Sequence, residues 1–151
     1  MRITDLLKKE GIKLNARADS KGAVIDQAVD LMEATGCLAD KEAYKKCVLA
    51  REEQGTTGIG EGVAIPHGKT EAVLRAGLAA MVLPEGVDYD SLDGQPAKLI
   101  FLIAAPNTEY NVHLDVLSRL STLLMDEDLL KQFQSITSEM NREEKEKVQN
   151  E

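Results

Sequence analysis

The run LIFLIAA, Leu99–Ala105, is bounded by turn residues and is too continuous for a strand with one wet face. It predicts a strand buried on both sides, and so a sheet with a layer on each face. A second apolar run, Leu78–Leu83, predicts a neighbouring buried strand, and the intervening PEGVDYDSLDGQP reads as a loop or hairpin connection. Between Ser20 and Thr35, the positions Val24, Ala28, Leu31 and Thr35 recur at helical spacing, and Gly36 ends the pattern. Asp40 is a good N-cap for a second helix running to about Gln54, followed by Gly55. Met1–Lys9 reads as a short amphipathic turn or helix before a strand at Gly11–Leu14. Helical patterns return over Asn111–Met125 and after Asp126. Residues 139–151 read as a polar helix end or linker stub after one domain spanning 1–138. Alternating helices and buried strands place the chain in the α/β class, a mixed parallel and antiparallel sheet flanked by helices on both faces.

Composition limits the partners. Aromatics make up 3% of the 151 residues, with no Trp, so the core is aliphatic and a base-stacking surface is disfavoured. Lys and Arg number 18 against 26 Asp and Glu, a net charge of −8 that repels a nucleic-acid backbone. Cys37 and Cys47 form no CxxC pair, which argues against a zinc site. No stretch has the length of a signal peptide or a membrane span, and the chain reads as cytosolic with free thiols.

Five of the eleven glycines fall in GTTGIGEGVAIPHGKT, Gly55–Thr70, together with one of the two histidines. The segment is not a P-loop: Gly62 and Gly68 are wrongly spaced, and Pro66 removes an N–H from any phosphate cradle. Nor does Gly58-x-Gly60-x-Gly62 match a dinucleotide fingerprint. Asp88–Gly94 mimics a calcium loop, but Leu92 and Asp93 occupy positions that need an oxygen ligand and a glycine. What the segment offers is His67, after a proline and before a glycine, either a plain loop residue or an exposed nucleophilic imidazole. His113 begins the apolar stripe His113, Leu117, Leu120, Leu124, where a core histidine is the ordinary outcome. Its place in a first helical turn, however, suits an anion. Arg51 shares a helix face with Tyr44, Cys47 and Val48 just before the glycine segment, and either snorkels to water or meets an anion. Together the three describe an anion site containing a nucleophile.

REEQGTTGIGEGVAIPHGKT (Arg51–Thr70) resembles the signature of enzyme IIA domains of the fructose–mannitol class in the bacterial phosphoenolpyruvate-dependent sugar phosphotransferase system. VHLDVLSRLS (Val112–Ser121) resembles that family's second histidine segment, and the likeness runs from about residue 3 to 135. GLAAMVLPEGVDYDSLDGQPAKLIFLIAAP tilts it towards the fructose type. The resemblance implies a mixed sheet with the phosphorylated histidine at one edge. It implies that His67 carries a phosphoryl group, that His113 neighbours it and that Arg51 neutralises its charge. It further implies HPr as donor, a cysteine of enzyme IIB as acceptor, and indirect contact with a membrane permease, with no cofactor, ATP or magnesium. A nitrogen-related regulatory paralogue of the same fold is the alternative, and a nucleotide-dependent enzyme a distant one.

Overall fold

A computed structural model of the chain describes residues 7–107. These form β1 (Leu7–Lys13), α1 (Lys21–Ala34), α2 (Lys41–Gln54), β2 (Gly58–Gly60), β3 (Val63–Ala64), β4 (His67–Thr70), β5 (Gly77–Val87) and β6 (Ala97–Pro106). The helices read over Asn111–Met125 and beyond Asp126, the 139–151 stub and residues 1–6 lie outside the described residues.

Both helix starts follow from their caps. The Ser20 hydroxyl accepts the Ala23 N–H at 3.2 Å, and Asp40 accepts the Ala43 N–H at 3.1 Å, each satisfying a donor that the first turn leaves open. Gly36 stops α1 in a left-handed conformation at φ +80°. Val24, Ile25, Val29 and Met32 of α1 are all buried, each worth about 1.5–3 kcal/mol over exposure.

The sheet runs β1-β5-β6-β3-β2, with β4 also on β6. β1 lies parallel to β5, β5 antiparallel to β6, and β3 and β4 parallel to β6, so the sheet is mixed. Met81↔Ile100 and Ala79↔Leu102 pair on the face that packs with α1 and α2. Leu78↔Ile103 and Ala80↔Phe101 point the other way and are buried as well. The double burial expected of LIFLIAA is therefore observed, while both described helices lie on one face.

Two expectations need correction. The strand at the N-terminus begins at Leu7, so Lys8 and Lys9 are extended rather than helical. Among the described residues β1 has β5 as its one neighbour in the sheet, and an edge strand tolerates exposed charge that mimics a helical pattern. The glycine segment, read as a loop, contains three short strands. Val63↔Leu99 and His67↔Ile103 keep the same register against β6, so β3, Ile65-Pro66 and β4 follow one extended path interrupted at the proline.

Candidate active site

His67 opens β4 and pairs with Ile103, which directs its side chain to the sheet face opposite the helices. The next residue, Gly68, faces α2 so closely that a Cβ there would stand 3.1 Å from Tyr44 Cε2 and from Val48 Cγ2. Glycine at 68 thus lets the strand lie against the helix, a close approach rather than a special dihedral. Tyr44 is itself fixed, fully buried with its hydroxyl donating to the Ile103 carbonyl at 2.7 Å.

The His67 ring folds back on its own strand. Nδ1 lies 3.0 Å from the Ile65 carbonyl oxygen, which can only accept, so Nδ1 carries the proton and Nε2 the lone pair. Burial lowers the His67 pKa from its ordinary 6.5; the Ile65 carbonyl and Glu52 oppose that, the Arg51 charge adds to it, and the net direction is down. The imidazole is therefore held neutral near physiological pH. Sequence reading led to an exposed ring, but His67 is only 7% accessible. It begins a strand on a buried face instead of standing in a loop.

Arg51, half-buried in the last turn of α2, donates from Nη1 to the Gly55 carbonyl at 2.8 Å. The cation thereby closes the helix end and stands near enough to His67 to act on its charge. The structure thus brings Arg51 and His67 into one neighbourhood. His113 lies outside the described residues.

Sequence reasoning missed Glu52. The buried stripe of α2 is Tyr44, Val48 and then Glu52, each four residues on, rather than the face ending in Arg51. The Glu52 side chain is 6% exposed and pairs with Lys21 Nζ at 2.8 Å. Its carboxylate accepts the Thr57 N–H at 3.2 Å, the Thr57 hydroxyl, and the Tyr89 hydroxyl at 3.0 Å. Lys21 also sits 4.7 Å from the centre of the Tyr89 ring. Burial alone would push the Glu52 carboxyl up, yet the hydrogen bonds from Lys21, Thr57 and Tyr89 hold it below the ordinary carboxylate value. Tyr89 moves the other way, raised chiefly by burial. The i, i+4 spacing from Tyr44 and Val48 was the available signal for Glu52.

The turn between β2 and β3 is latched from outside. Gly60, Glu61 and Gly62 all have positive φ, and the Asp93 carboxylate accepts the Glu61 N–H at 2.9 Å. The DYDSLDG segment is thus a turn that braces the glycine hairpin. Among the described residues no group of His, Cys, Asp and Glu could hold a metal, and no helix is long and apolar enough to cross a membrane.

The chain matches known proteins along most of its length. Residues 5–141 fit the family described as "Phosphoenolpyruvate-dependent sugar phosphotransferase system, EIIA 2". The fructose-specific EIIABC component of Bacillus subtilis is 52% identical over 139 residues, covering 92% of this chain but 22% of that longer protein. Among solved structures, the nitrogen regulatory protein IIA-Ntr of Neisseria meningitidis superposes with a TM-score of 0.76 at 35% identity, covering 83% of this chain and 86% of that one. The complex of enzyme IIAMTL with phosphorylated enzyme IIBMTL from Escherichia coli matches with a TM-score of 0.68 at 34% identity, covering 82% and 85%. The family match over residues 5–141, with the identity to these relatives, places the chain in the enzyme IIA family of the phosphoenolpyruvate-dependent sugar phosphotransferase system.

Proposed function

We propose that the protein is a phosphocarrier that takes a phosphoryl group from phospho-HPr onto Nε2 of His67 and passes it to a cysteine of enzyme IIB. The observation that carries this reading is the Nδ1–H bond to the Ile65 carbonyl, because it leaves the nucleophilic lone pair on Nε2. Nε2 attacks phosphorus as the donor's N–P bond breaks, and that bond's electron pair returns to the donor imidazole. In the second transfer a thiolate of enzyme IIB attacks the same phosphorus, an S–P bond forms, and His67 recovers its lone pair. Transfer of this kind depends mostly on positioning and charge stabilisation. Arg51 stabilises the incoming charge of about −1.5 to −2 as a bidentate donor, and His113 hydrogen-bonds the phosphoryl group or orients His67. Fructose is the transported sugar on this reading, supported by the fructose-specific relative, and a membrane permease completes the route.

Incubation with phosphoenolpyruvate, enzyme I and HPr, followed by intact mass, tests the carrier role. The wild-type protein should gain one acid-labile, alkali-stable phosphoryl group, and His67→Ala none. Labelling that persists in His67→Ala removes His67 from the reaction. Arg51→Ala should slow both transfers, and His113→Gln chiefly the onward one. The likeness to the nitrogen regulatory protein supports a second reading, in which the phosphorylation state of His67 is itself the signal. Growth on fructose with and without the gene separates the two, since only a transport component is needed for growth.

A further inference from the structure

The bond that sets the His67 tautomer begins further away, at a carboxylate. Glu52 receives the Thr57 N–H and hydroxyl on its two oxygens. The Thr57 carbonyl accepts the Ile65 N–H at 3.0 Å. The Ile65 carbonyl then accepts Nδ1–H of His67 at 3.0 Å. The links are local, five, eight and two residues apart, and together they tie the end of α2, the entry to β2 and the break before β4 into one path. Thr57, 3% exposed, and Ile65, 9% exposed, are closed in by the core, so water is a poor substitute for these partners. Glu52 is held in turn by Lys21 at 2.8 Å and Tyr89 at 3.0 Å, which also lies 3.2 Å from the Thr57 hydroxyl.

Free histidine in water prefers the proton on Nε2, the nitrogen that must carry the lone pair here. Something has to hold the Ile65 carbonyl where only the Nδ1–H form is satisfied. We propose that Glu52 is a positioning residue for His67, which acts through Thr57 and Ile65 to fix the ring in its Nδ1–H tautomer. This rests on the reading of His67 as the phosphoryl acceptor at Nε2. Glu52 touches no reacting atom. Its neighbour Arg51 faces the phosphoryl charge, so consecutive residues of α2 divide the work: one stabilises charge and the other sets the nucleophile.

The test reads the tautomer directly, from the ring nitrogen chemical shifts of His67 in 15N-labelled protein above its titration midpoint. Wild type should show a protonated Nδ1 and an unprotonated Nε2. Glu52→Ala should shift the ring towards the Nε2–H form and slow single-turnover phosphorylation by phospho-HPr about 10- to 100-fold. Glu52→Gln keeps an acceptor for the Thr57 N–H and should restore most of the tautomer and most of the rate, whereas Glu52→Met, which keeps the bulk without a carboxylate or amide oxygen, should restore neither. Removing one member of a buried ion pair can prevent folding, so Thr57→Val and Tyr89→Phe, which delete single hydroxyls, provide a second arm. Partial movement of the tautomer in those variants supports the relay. An unchanged tautomer in every folded variant overturns it, as does a wild-type ring protonated at Nε2. The shifts need no transfer chemistry, so a wild-type protein that is never phosphorylated would defeat the carrier reading while the tautomer still decides the role of Glu52.

Discussion

His67 feels two opposite charges from consecutive residues: Arg51 lowers its pKa and Glu52 raises it, on top of burial, which lowers it most. Single substitutions should therefore move its NMR titration in opposite directions, Arg51→Ala upward and Glu52→Gln downward, from a wild-type midpoint already below 6.5. Equal shifts of the same sign would mean that the variants act through folding rather than charge. With its midpoint below 6.5 the imidazole is mostly neutral at pH 7, and on the proposed role of His67 the phosphorylation rate should fall as pH drops through that folded midpoint. At this scale the sequence was half legible. His67 and Arg51 stood out because histidine beside glycine and arginine after an apolar stripe are chemically unusual, and the structure sets the two in one neighbourhood. Glu52 was hidden because a glutamate in a charged helix end looks solvated. Its burial depends on Lys21 and Tyr89, which lie 31 residues before it and 37 after it.

Caps and apolar periodicity are local signals, and the elements they govern, α1, α2, β5 and β6, stand where those signals put them. β2, β3 and β4 were not legible, since strands of two to four residues are held by pairing with β6 and by the Asp93 latch rather than by their own propensity. β4 offers the sharpest test of how tightly these pieces fit. In Gly68→Ala the new methyl would meet Tyr44 and Val48 at 3.1 Å, and Tyr44 cannot yield because its hydroxyl is tied to the Ile103 carbonyl. The variant should lose about 1–3 kcal/mol in urea unfolding, the usual cost of overpacking, and should phosphorylate more slowly because His67 moves with the strand. Wild-type stability in Gly68→Ala would show that α2 can slide outward.

Across the whole molecule, two titrations link the site to stability. His67 is depressed below 6.5, so the unfolded chain takes up that proton first, and stability is lost as pH falls from 6.5 through the folded midpoint. Glu52 is depressed below 4.5, so its contribution is present above 4.5 and lost as pH falls through its own folded value. Urea midpoints measured against pH should show both losses; His67→Ala should flatten the upper one and Glu52→Gln the lower. The two sheet faces have different tasks, one packed against helices and the other carrying the imidazole, and side chains along a strand alternate between them. The constant register of Val63↔Leu99 and His67↔Ile103 makes the distance from Val63 to His67 a matter of odd and even. One residue gained or lost in that stretch would turn the imidazole under α2, against Tyr44 and Val48, or force the ladder to slip. Descendants of this gene can therefore change the letters between Val63 and His67 but not their number by one, and a single-codon insertion there should abolish transfer more completely than most substitutions.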